Sequence, residues 1–142
     1  MPLENFGSIL NFAEELEKQD QAFFATIAGN PACAEYKEMF EKFASDAAKN
    51  IKDVQRTRRE NVTEMILEPV KDFTRAPFCE ECETADSMDL EDALATARRL
   101  ADRAERYYSE AAEKIKAQPE VARALKTIGK KHKAHCEKLA AL

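Results

Sequence analysis

ILNFAEELEKQDQAFFATIA, residues 9–28, sets Ile9, Leu10, Phe12, Ala13, Leu16, Phe23, Phe24 and Ile27 at the recurrence of an amphipathic helix. One acid interrupts the apolar face. The inward stripe runs Leu10, Ala13, Glu17, Phe24, which points Glu17 into whatever the helix packs against. The helix is expected from about Leu3 to Ala28 and stops at Gly29-Asn30-Pro31, where Asn30 caps a second helix and Pro31 takes its first position. That second helix is expected from about Ala32 to Leu67, with Tyr36, Phe40, Phe43, Ala47, Ile51, Val54 and Met65 inward, and Pro69 ends it. The stretch from Pro69 to Ser87 holds two prolines, two cysteines and a cluster of acids, and reads as an irregular crossover. A third helix follows from about Met88 to Ala117, capped by Ser87 or Asp89, with Leu90, Leu94, Ala97, Ala101, Ala104, Tyr108 and Ile115 on one face. Gln118-Pro119 restarts the chain as a fourth helix, Glu120 to Ala141, with Val121, Leu125, Ile128 and Leu139 inward.

Two short hairpins and one long crossover between the second and third helices describe an all-α four-helix bundle, a single domain over residues 1–142. The two hairpins also resemble each other. Phe24 and Tyr108 are 84 residues apart, as are Leu10 and Leu94, an offset that suggests duplication of a helix pair. Composition agrees with this architecture. The 142 residues are 44% apolar, enough for a core, and 3 glycines with 5 prolines are too few turns for a sandwich or barrel. Lys and Arg number 22 against 27 Asp and Glu, a net charge of −5 that disfavours bulk nucleic acid and anionic membrane as partners. No apolar run approaches the roughly 18 residues of a membrane span, and Met1-Pro2-Leu3-Glu4-Asn5 lacks the pattern of a signal peptide. A cytoplasmic protein is expected.

The polar residues on the seams carry the functional signal. Asn50 falls on the inward stripe of the second helix, and His132 and His135 sit three apart on that of the fourth. At the same depth the third helix offers Ala101, flanked by Ala97 and Ala104. Buried polar groups without partners cost several kcal/mol, by rough estimate, so a Glu and two His converging in a bundle core need a solution. One is a metal: two His three apart on one helix and a facing carboxylate suit iron, zinc or manganese. The other is a Glu–His hydrogen bond, with Asn50 completing a polar layer.

These stretches resemble the ferritin-like superfamily, and within it the rubrerythrin-like branch. Glu17-Lys-Gln-Asp-Gln-Ala-Phe-Phe24 is similar to the family's first Glu motif, with its aromatic seven residues on. Ile128-Gly-Lys-Lys-His132-Lys-Ala-His135-Cys-Glu-Lys-Leu139 is similar to the last helix, with His132 where the family has Glu. Phe43-Ala-Ser-Asp-Ala47-Ala-Lys-Asn50 keeps the frame with Ala and Asn in place of Glu and His, and Ala101-Asp-Arg-Ala-Glu-Arg-Tyr-Tyr108 has Ala in place of the other Glu. The resemblance therefore implies a degenerate di-iron site, reduced to one metal at Glu17, His132 and His135 with Asn50 beside it. It also implies a link to iron or oxidative-stress physiology. The usual oxidase or peroxidase ligands are mostly missing, which leans against enzyme activity. No rubredoxin module is expected, because that needs two Cys-x-x-Cys pairs.

Cys79-Glu-Glu-Cys82 offers two thiols at metal-ligand or redox-pair spacing. Glu80 and Glu81 repel a thiolate and so oppose its activation. Two alternatives to the metal protein follow: a metal-free helical interaction or scaffold protein, and a thiol redox sensor built on Cys79 and Cys82. The acids between Cys79 and Asp92 and the lysines of the last helix form opposite patches, which allow a homodimer.

Overall fold

The computed structural model describes residues 6–60, 73–74, 76–79, 88–116 and 118–142. The described residues form an all-α bundle of four long helices: α1 (Phe6–Ala28), α2 (Lys37–Glu60), α3 (Leu90–Lys114) and α4 (Pro119–Ala140). Short 3₁₀ turns occupy Pro31–Tyr36 and Ala76–Phe78. α1 packs along α2 and α3 along α4, and the two pairs meet through α1 against α3 and α2 against α4.

Local chemistry sets the boundaries. Asn30 caps as its position predicts: its Oδ1 accepts from the Ala32 amide at 2.9 Å, and its Nδ2 donates to the Met88 carbonyl at 2.8 Å. One buried side chain thus ends the first hairpin and ties it to the approach to α3. The expected second helix is not α-helical from its start. Residues Pro31–Tyr36 wind as a 3₁₀ turn, and the α-helical ladder begins at Lys37. Of the two cap candidates for α3, Asp89 holds the Asp92 amide at 2.8 Å, whereas Ser87 lies outside the described residues. The expected extensions of the first helix to Leu3 and the second to Leu67 also lie outside them, as do Cys82 and the acids beside it.

The core divides into two apolar clusters. At one end Leu10, Phe12 and Leu16 of α1 meet Val54, Tyr107, Ile115, Leu125 and Ile128, together with Phe73 and Phe78 from the segment before α3. At the other end Phe23, Phe24 and Ile27 meet Phe40, Phe43, Ala97, Leu100 and Leu139. The buried aromatics interlock: Phe24 lies edge-on to Phe43 at 5.3 Å, and Phe78 edge-on to Tyr107 at 5.2 Å. Leu142 is the large apolar side chain left exposed among the described residues. No described helix is long and apolar enough to cross a membrane.

Candidate metal centre in the mid-bundle polar layer

Between the two apolar clusters every helix contributes a buried polar side chain: Glu17 and Asp20 from α1, Asn50 from α2, Arg103 from α3, His132 and His135 from α4. Their spacing explains the shared depth. Glu17 and Asp20 are one turn apart and continue the Phe24 stripe, and Leu100, Arg103 and Tyr107 continue that of α3. A layer so far from water must pair its own groups.

Glu17 is the hub. Its Oε1 receives His132 Nε2 at 2.5 Å and the Tyr108 hydroxyl at 2.9 Å, while Asn50 Nδ2 reaches both carboxylate oxygens at 3.4 Å. The Tyr108 ring lies nearly parallel to the His132 imidazole, at 11° and 5.5 Å. Burial pulls the His132 pKa down, but the charge and hydrogen bond of Glu17, with Asp20 behind it, outweigh that and raise it above its ordinary value. Burial, the Glu17 charge and the hydrogen bond hold the Tyr108 hydroxyl well above the usual phenol range, so it stays a donor.

Asp20 and Arg103 form a second pair in the same layer, both essentially inaccessible to solvent. Arg103 Nη2 donates to Asp20 Oδ1 at 2.7 Å, and Nη1 donates to the Phe78 carbonyl at 2.9 Å and Gln19 Oε1 at 3.0 Å. Burial pushes the Asp20 carboxyl up to about 6 against the pull of Arg103, and the Glu17 charge adds to the rise. Asp20 Oδ2 and Asn50 Oδ1 have no hydrogen-bond partner. Glu17, Asp20 and His132 together present one ligand-type atom each, all within 4.8 Å of one another and all buried.

His135 stands at the edge of this group. Its ring stacks on Phe43 at 3.9 Å, and its Nε2 bonds Asp46 Oδ2 at 2.9 Å, with Asp46 held in turn by Lys42 at 2.6 Å. Burial lowers the His135 pKa more than Asp46 raises it, and the His132 charge adds to the lowering. A neutral ring that donates through Nε2 leaves Nδ1 as a bare lone pair, and that atom is buried without a partner.

Of the residues singled out in the sequence, the structure therefore brings Glu17, His132 and Asn50 into one cluster and turns His135 Nε2 to Asp46 rather than to Glu17. It adds Asp20 in His135's place among the three closest donors. Asp20, Arg103 and the Tyr108 hydroxyl were not read as part of the site from sequence; Asp46 lies beside its seam there, where a small helix rotation brings it inward. Cys79 is exposed just after the Ala76–Phe78 turn, while Cys136 is no thiolate donor: burial and the neighbouring Glu105 push its thiol up to about 12.

Gly129 fixes how closely α4 approaches Tyr108. A Cβ there would stand 3.1 Å from the Tyr108 Cβ, an atom that cannot swing away. Gly129→Ala gains about 1 kcal/mol in helix propensity but crowds a packed ring, at about 1–3 kcal/mol. The expected net is a loss of roughly 1 kcal/mol in urea unfolding, against the gain a surface glycine would give. No protein-family model, curated protein or solved structure matches the chain.

Proposed function

We propose that the chain is a ferritin-like, rubrerythrin-like bundle that holds one divalent transition-metal ion at Glu17, Asp20 and His132. The observation that carries this reading is the convergence of those three buried donors within 4.8 Å. The mixed oxygen and nitrogen set suits iron, zinc or manganese. Asp20 Oδ2 and Asn50 Oδ1, which lack hydrogen-bond partners, are the acceptors that a cation would satisfy. A di-metal centre does not fit. Ala47, Asn50 and Ala101 stand where further carboxylate and imidazole ligands are required, and the Arg103 guanidinium already brings a cation into the layer.

Support for a crossover topology comes from the clusters. The Val54 end of α2 and the Ile115 end of α3 share one apolar cluster, and the Phe40 end of α2 and the Ala93 end of α3 share the other. Two helices that run the same way need a connection as long as the bundle.

A divalent transition metal supplies a Lewis-acidic centre when bound, and a redox-active one if it is iron. The chain's own residues do the rest. Tyr108 and Asn50 hold the Glu17 carboxylate in place, Arg103 orients Asp20 through Oδ1 and leaves Oδ2 open, and the two aromatic clusters exclude water. Ligation requires His132 Nε2 without its proton, so binding releases a proton and tightens as pH rises. The fold analogy extends this to iron or oxidative-stress physiology.

Elemental analysis of protein purified without chelator tests the reading, with wild type beside Asp20→Asn and His132→Ala. About one equivalent in wild type, lost in both variants, is the expected result for a site whose ligands act together. A second reading has its own observation: Arg103 and His132 offset Glu17 and Asp20 without any metal, as a layer that fixes helix register would. Wild-type protein that folds fully and takes up no metal supports that reading instead.

A further inference from the structure

Arg103 joins two things that the metal reading treats separately. Its Nη2 grips Asp20, a proposed ligand, and its Nη1 grips the carbonyl of Phe78, in the short turn before α3. Rings hold the turn as well: Phe78 lies edge-on to Tyr107, Phe73 stacks on Tyr107 at 5.7 Å, and Arg106 sits over the Phe78 face at 5.7 Å. Its backbone is closed by the Cys79 amide on the Ala76 carbonyl at 3.3 Å, and Cys79 itself is exposed. Arg103 is thus a polar link from the buried acids to a surface turn carrying a cysteine.

We propose that occupancy of the Glu17–Asp20–His132 site and docking of the Ala76–Cys79 turn are one linked equilibrium, transmitted by Arg103. This rests on the metal reading above. A divalent cation seated on Asp20 Oδ2 brings two positive charges beside the guanidinium that holds Asp20 Oδ1 at 2.7 Å, inside a layer shielded from water. Repulsion then loosens Arg103 from Asp20, and the Phe78 carbonyl loses its charge-assisted donor. Linkage is reciprocal: when Arg103 leaves Asp20 and the turn together, Oδ1 is freed beside the already open Oδ2, which favours the ion.

The test uses Mn²⁺, which prefers oxygen and nitrogen donors to thiols, on the full chain. Calorimetry reads binding, while hydrogen exchange at the Cys79 amide and chymotrypsin cleavage after Phe78 read the turn. Saturating Mn²⁺ is expected to speed exchange at Cys79 about tenfold, the effect of losing one charge-assisted hydrogen bond. In Arg103→Lys a single ammonium cannot hold Asp20, Gln19 and the Phe78 carbonyl together. Exchange there is expected to start fast and to respond little to Mn²⁺. Binding with unchanged or slower exchange at Cys79 in wild type overturns the linkage and leaves the metal site standing. No binding at all overturns both. The wild-type titration decides even if Arg103→Lys folds poorly.

Discussion

Arg103→Leu is expected to cost about 3–5 kcal/mol of stability, the range for breaking a buried ion pair by removing one partner. The guanidinium is fully buried and serves Asp20, Gln19 and the Phe78 carbonyl at once, so its loss leaves an acid and a backbone acceptor unpaired in the interior. The penalty has a pH signature. Burial already pushes Asp20 up to about 6 with Arg103 in place, and the variant removes the charge that pulls it down. The acid then takes a proton at still higher pH, so the destabilisation is smallest in mild acid and grows from about pH 5 to pH 8. Arg103→Leu/Asp20→Leu is expected to recover most of the loss, because an apolar pair of adequate volume replaces a buried ion pair at little cost. Urea unfolding of the metal-free variants measures both. A single variant within about 1 kcal/mol of wild type would mean that the pair contributes nothing.

Glu17→Ala is expected to be of similar size, roughly 3–5 kcal/mol. It strips the acceptor from His132, Tyr108 and Asn50 in one step. Glu17→Gln separates charge from shape, since its carbonyl oxygen can still accept from Tyr108. His132 provides the readout. Its folded pKa is raised above 6.5, so the stability it contributes is fully present below the unfolded value and is lost as pH rises through the folded one. In chelator-treated protein the advantage of wild type over His132→Gln is therefore expected to be largest below about pH 6.5 and to shrink as pH rises above it. In the Glu17→Gln background that slope is expected to flatten. A constant difference across the range would mean that His132 is not held protonated by Glu17.

The helices were legible because period, caps and breakers agree. The apolar face of α1, the Asn30 and Asp89 caps and the Gln118-Pro119 restart each state a local rule that tertiary packing left alone. Glu17, Asn50, His132 and His135 were legible as buried because each falls on an otherwise apolar stripe. Arg103 and Asp20 were harder to see. A long basic side chain and an acid at the margin of a stripe ordinarily reach solvent, and only the pairing across α1 and α3 keeps both inside. Asp46 was legible only as an acid beside its stripe that a small rotation could turn inward, and the His135 ring, packed flat on Phe43, reaches sideways to it. Sequence gives helix faces, whereas which oxygen on one face meets which nitrogen on another depends on small rotations that only packing sets.

The most direct measurement is anomalous diffraction from crystals of the chain grown with Mn²⁺, recorded at a wavelength where manganese scatters strongly. The account predicts one peak in the mid-bundle layer, bounded by Glu17, Asp20 and His132, with the Arg103 guanidinium drawn away from Asp20. A layer without a peak, with His132 still closed on Glu17, would contradict it, as would a pair of peaks in the bundle core.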